Sequence, residues 1–223
     1  MQTNQALGNK QQSIVAISAF AAKGDLVQLQ KALNNGLDAG LTVNEIKEVL
    51  VHLYAYCGFP RSIRGLQTFM EVLNERKAKG INDVMGSEAS PVKDERSKYE
   101  RGKAILDSLL GTQQNGPKTG YSAFAPVIEI FLKEHLFADI FERDVLTYRQ
   151  RELVTVSVLA CIGGVEPMLQ SHLKICLNEG LTPAQLRQFV DIIKSTAGEK
   201  EAKAAQTVLN DVLEKHNKTI FKN

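Results

Sequence analysis

The chain of 223 residues contains no tryptophan, and aromatic residues make up only 6% of it. Its cysteines are few: Cys57, Cys161 and Cys176. The number is odd and no two are spaced C-x-x-C, so a disulfide framework is excluded and the set reads as free thiols of a reducing compartment. No apolar run approaches the roughly 18 residues that a membrane-crossing helix needs, so no membrane is expected as a partner. The opening "MQTNQALGNKQQ" is polar and has no signal-peptide pattern, which makes the cytoplasm the expected location. An excess of one charge is also missing. With 27 basic and 25 acidic residues the net charge is +2, which gives no electrostatic reason to expect nucleic acid or an anionic surface as a partner. No pair among the four histidines is spaced with carboxylates as metal ligands would be, and there is no phosphate-cradling glycine loop. No metal site is expected.

What is present is material for a helical core. Hydrophobic residues make up 43% and charged residues 23%, and a chain of this length buries about 70% of its unfolded surface without staples. "TVNE" at Thr42–Glu45 is a capping box, followed by Ile46, Val49, Leu50, Leu53 and Cys57 at helical spacing, with Gly58 and Pro60 as the stop. Ile63, Leu66, Phe69, Met70 and Leu73 mark the next helix. "TPAQ" at Thr182–Gln185 is a second capping box, ahead of Leu186, Phe189, Val190 and Ile193. The run Leu153–Ile162 is ambiguous on its own, because its β-branched residues also suit a buried strand.

An internal repeat resolves that ambiguity. At an ungapped offset of 140 residues, Gly24 falls on Gly164, Leu33 on Leu173, Gly40-Leu41-Thr42 on Gly180-Leu181-Thr182, and Gly58 on Gly198. Ile46, Val49, Phe69, Val72 and Leu73 meet Leu186, Phe189, Leu209, Val212 and Leu213. Self-similarity with caps in register indicates two copies of one helical unit, so Leu153–Ile162 is a buried helix, the counterpart of residues 13–22. The expected organisation is a first repeat over 1–78, a Gly- and Pro-punctuated charged linker over 79–97, and a second repeat over 98–223. The second repeat is preceded by two extra helices, Tyr99–Leu110 and Ala123–Leu136. The fold class is all-α, a tandem repeat forming one helical bundle.

Two clusters carry chemistry. In "RELVTVSVLACIGGVEPMLQSH", residues 151–172, Arg151-Glu152 and His172 bracket an apolar run broken at Gly163-Gly164. Two antiparallel helices joined at those glycines bring Glu152 to His172, a carboxylate–imidazole arrangement suited to proton transfer. The plainer alternative is a carboxylate in a first helical turn, where the dipole favours it, and a core histidine. In "HLYAYCGFPRSIR", residues 52–64, Tyr56 and Cys57 precede a turn, and Arg61 and Arg64 open the next helix. A cysteine beside arginines is a candidate low-pKa thiol, and the arginines are candidates to hold a carboxylate; the alternative is a buried small hydrophobe and solvated cations. Cys161 and Cys176 read as core, His52 as lying on the outer face of its helix, His135 as part of an amphipathic helix, and His216 as near a polar tail. At the repeat offset Glu152 and His172 fall on Gln12 and Ala32, while Tyr56, Cys57 and Arg61 fall on Thr196, Ala197 and Glu201. Each copy keeps half of the polar set, which points to one composite site built across the repeats.

"RELVTVSVLACIGGVEPMLQSHLKICLNEGLTPAQL" and "GLTVNEIKEVLVHLYAYCGFPRSIRGL" resemble the carboxymuconolactone decarboxylase family, which shares its helical fold with the alkylhydroperoxidase-like proteins. The matching parts are Arg151-Glu152, Gly163-Gly164, His172, Asn178–Thr182 and Tyr56–Pro60. The resemblance implies an all-α bundle that assembles into a homo-oligomer. It also implies cofactor-free removal of CO₂ from a small carboxylated lactone, with Glu152 and His172 handling protons and Tyr56, Arg61 or Arg64 binding substrate. The family's peroxidase branch uses C-x-x-C before a histidine, and no cysteine stands between Gly164 and His172. The alternatives are a thiol peroxidase relying on Cys57 alone, or a non-catalytic binding or assembly protein.

Overall fold

A computed structural model describes residues 6–220. Two sets of four helices follow one another with matching bounds. The first is α1 (Asn9–Lys23), α2 (Leu26–Asp38), α3 (Val43–His52) and α4 (Tyr54–Ala78). Between the sets stand α5 (Lys98–Leu110), α6 (Gly120–Phe124), α7 (Pro126–Phe131) and a ten-residue π-helix (Leu132–Phe141). The second set is α8 (Tyr148–Ile162), α9 (Glu166–Asn178), α10 (Pro183–Thr196) and α11 (Glu199–Ile220). No strand occurs among the described residues.

The caps work as the sequence predicts. The Thr42 hydroxyl accepts from Glu45 N–H and the Glu45 carboxylate accepts from Thr42 N–H; Thr182 and Gln185 repeat the exchange at α10. Each such cap stabilises its helix by about 1 kcal/mol. Helices α1 and α8 pack against each other at the centre of the bundle. Every residue from Arg151 to Cys161 is buried, which is why this stretch shows no polar face in the sequence. Leu29, Leu33, Ile46 and Val49 of the first set share one core with Leu169, Leu173, Leu186 and Phe189 of the second.

Two local expectations are revised and one holds. The expected helix Ala123–Leu136 is broken: Ala125 is extended (φ −132°, ψ 77°) ahead of Pro126, as a residue before proline prefers, and from Leu132 the chain winds as a π-helix. The expected stop at Gly58 holds: at φ 80° and ψ 163° it is non-helical and separates two helical segments within the span of α4. The stretch 81–94 has no helix but is tied down. Val43 and Asn44 N–H donate to Val84 and Met85 C=O, both at 2.9 Å, satisfying orphan donors at the start of α3. Arg76 binds Asp83 at 2.8–3.0 Å. The inserted α5 and π-helix form a second apolar cluster, with Leu109, Leu136, Phe137, Ile140 and Phe141 around Ile175 of α9.

Candidate active site

The position of Glu152 follows from where α8 begins. The Thr147 hydroxyl accepts from Gln150 N–H, and Gln150 accepts from Thr147 N–H at 2.9 Å, so the helix starts at Tyr148. Arg151 and Glu152 are therefore in the second turn, inside the bundle, with 0% exposure each, rather than in a solvated first turn. At the far end, Gly163 (φ 67°) and Gly164 (φ 72°) adopt a backbone that side-chain-bearing residues rarely take. The chain reverses there into α9 and returns His172 to Glu152. His172 Nδ1 lies 2.8 Å from Glu152 Oε2, and 15% of the His172 side chain remains exposed.

Tyr56 stands beside this pair. Its ring is edge-on to His172, with centroids 5.8 Å apart and planes at 86°. Burial, and then the Glu152 charge, push its phenol well above the ordinary value, so it stays a neutral donor. Both the Tyr56 hydroxyl and Glu152 Oε1 are buried without a hydrogen-bond partner among the described residues. Buried polar groups are rarely left so; the Thr155 hydroxyl lies near enough to the Tyr56 phenol to offset part of the rise in its pKa.

A charged network that the sequence did not announce lies beneath. Glu48 of α3, nearly fully buried, accepts from Arg151 Nη2 at 2.7 Å and from Arg143 Nε at 3.0 Å. Arg151 Nη1 is 3.2 Å from His52 Nδ1, and His52 Nε2 is 2.9 Å from Thr155 Oγ1, which donates to Arg151 C=O at 3.0 Å. A guanidinium only donates, so His52 Nδ1 accepts and Nε2–H donates to Thr155. Burial, then the charges of Arg151 and His172, hold the His52 imidazole well below its ordinary pKa. The expectation that His52 lies on an outer face is thus corrected. The exposed side foreseen for α3 is covered by α8 and by Phe141 of the π-helix, 5.0 Å from the His52 ring. The T-x-x-Q box at 147–150 was the signal available: it places residues 151 and 152 past the exposed first turn.

Tyr56 also lines a cleft of about 530 Å³ with Ala22, Lys23, Cys57, Arg61, Cys161 and Ile162. Glu152 and His172 are not among its lining residues, so the two halves of the expected composite site meet through Tyr56. Arg61 lies over Gly24, where an added Cβ would stand 1.5 Å from Nη1, and it has no ion-pair partner among the described residues. Lys23 is engaged by Glu201 at 2.7 Å. Arg64 is outside the cleft: it is exposed and donates to Gln67 Oε1 at 3.0 Å. Cys57 donates to Leu53 C=O, and burial pushes its thiol up to about 11, offset only in part by Arg61. Burial likewise pushes Cys161 up to about 12 and holds Cys176 well above its ordinary value. Burial thus disfavours the thiolate at both cleft cysteines, which counts against the lone-thiol reading of Cys57. No group of three His, Cys, Asp or Glu side chains among the described residues is placed to hold a metal ion.

The carboxymuconolactone decarboxylase family model matches residues 1–69 and 128–211, which together are more than half of the chain. The chain belongs to the carboxymuconolactone decarboxylase family. Its two matched segments are separated by the end of α4, the tied-down segment, α5 and α6. The 4-carboxymuconolactone decarboxylase of Acinetobacter baylyi is 25% identical over 119 residues, 53% of this chain and 88% of the relative. An uncharacterized protein of Methanocaldococcus jannaschii is 26% identical over 74 residues, 33% of this chain and 69% of the relative. No helix among the described residues is long and apolar enough to cross a membrane.

Proposed function

We propose that this member of the family is a cofactor-free lyase that decarboxylates a small carboxylated, lactone-like compound. One observation carries the reading. Glu152 holds His172 through Nδ1, its second oxygen is buried without a partner, and the Tyr56 ring stands edge-on to the same imidazole. A carboxylate bound at Nδ1 fixes the tautomer and leaves Nε2 to carry the working proton. As the C–C bond to the carboxylate breaks, its electron pair moves into the conjugated lactone carbonyl. Tyr56 donates to the resulting enolate oxygen, His172 delivers a proton to carbon, CO₂ leaves, and solvent restores the proton. Arg61 offers an uncommitted guanidinium for a substrate carboxylate. The exposed part of His172 gives access to the pair. The relative named as a 4-carboxymuconolactone decarboxylase supports this choice of chemistry.

The test is a panel of carboxylated lactones with CO₂ release as the readout. The expected result is turnover by the wild type and a loss of about 10²–10⁴-fold in kcat for His172→Ala. Turnover that ignores the substitution removes His172 from the reaction. The same reading includes a homo-oligomer. Phe124 is 93% exposed beside exposed Tyr121, Val127 and Phe131, an apolar patch of the kind that marks an interface. Sedimentation of Phe124→Asp is expected to show a smaller species than the wild type; identical profiles argue against this patch as the contact.

A further inference from the structure

At the offset that relates the repeats, Gln12, Ala32 and Thr196 stand where Glu152, His172 and Tyr56 stand in the other half. These three side chains line a cleft of about 500 Å³. We propose that this cleft is a second small-molecule site, one that binds a carboxylated compound without converting it.

The lining chemistry selects the ligand. Lys31 is its one charged side chain; no Asp or Glu lines it, and Lys31 has no ion-pair partner among the described residues. The Ser13 hydroxyl and the Gln28 and Asn35 side-chain amides also line it and are uncommitted to any described partner. They offer hydrogen bonds to hydroxyl, lactone or ester oxygens. Ala16, Phe20 and Ile192 supply an apolar wall for a compact ring. A lone cation among neutral donors favours a carboxylate over a neutral or cationic ligand.

The same lining excludes turnover. No carboxylate–imidazole pair is present, and the Gln12 amide is spent on Leu7 C=O at 2.7 Å. The cleft is open because the inserted helices cover only its counterpart. Asn35 on its rim corresponds to Ile175, which is buried against Leu109 and Leu136. Helix α1 joins the two places, with Ser13, Ala16 and Phe20 facing this cleft while Ala22 and Lys23 line the one beside Tyr56. Nothing in this inference requires the lyase reading, since binding is expected whether or not the chain decarboxylates anything.

The experiment is a backbone-amide NMR titration of the full chain with 5-oxotetrahydrofuran-2-carboxylate and, in parallel, its methyl ester. The carboxylate is expected to shift the amides of Ser13, Ala16 and Asn35 in the wild type and equally in His172→Ala. In Lys31→Glu, an exposed position that leaves the core untouched, affinity at these amides falls about tenfold or more. The ester binds at least as weakly as that variant binds the acid. No shift at these amides with ~10 mM acid, enough to fill most of a site of about 1 mM Kd, overturns the proposal. So does an undiminished response in Lys31→Glu.

Discussion

Tyr56 shows how a single residue is placed for use rather than for stability. A buried hydroxyl without a partner forgoes hydrogen bonds it would make in water, a cost of order 1–3 kcal/mol. Tyr56→Phe removes that burden while keeping the ring that packs between His52 and His172. The expected outcome is unchanged or increased stability in urea denaturation together with a kcat at least about tenfold lower. A variant that melts early and turns over normally would show that the hydroxyl is structural. Cys57 makes the opposite case. Its thiol, pushed up to about 11 by burial, is expected to react with iodoacetamide at pH 7 far more slowly than a free cysteine and to speed up steadily beyond pH 9. A plateau in that rate near pH 8 would restore the lone-thiol reading.

At the scale of elements, helices α1–α4 and α8–α11 were legible because caps, glycine stops and the repeat agree with one another. The Glu152–His172 encounter was legible because two glycines and a proline fix the reversal between α8 and α9. Two things were hidden. The break at Ala125 comes from the proline that follows it, and the π-helical winding from Leu132 leaves no mark on helical periodicity. The Glu48–Arg151–His52–Thr155 network was hidden because each member, taken alone, is a residue type that usually faces solvent. Only pairing across repeats makes its burial tolerable, since Glu48 and His52 belong to α3 and Arg151 and Thr155 to α8. Removing one partner strands the other charge. Glu48→Leu is expected to cost about 3–5 kcal/mol, and the double substitution Glu48→Leu with Arg151→Met to cost clearly less than the sum of the singles. Additive values in a double-mutant cycle by urea denaturation would show that the pair is not coupled.

The whole molecule is one bundle because the repeats share a core, and the network between them favours a neutral His52. That neutrality ties folding to pH. His52 is fully buried, with its imidazole held well below the ordinary value by desolvation, by Arg151 and by His172. In the unfolded chain it titrates near its usual value of about 6.5. Below that pH the unfolded state binds a proton that folded His52 refuses. Stability contributed by the neutral ring is therefore complete above the unfolded value. It is lost as pH falls from about 6.5 toward the lowered folded value, by up to about 1.4 kcal/mol per pH unit for one proton. His52→Gln isolates this group. The glutamine carbonyl can accept from Arg151 and its amide can donate to Thr155, so the connection between α3 and α8 is kept while the titration is removed. Other histidines and carboxylates contribute to both proteins alike, so the measurement is the difference between two stability curves. Urea midpoints taken between pH 7 and pH 5 are expected to fall more steeply for the wild type than for His52→Gln. Curves that run parallel over that interval would show that folded His52 takes up its proton over the same pH range as the unfolded chain, and the neutral buried ring would be overturned.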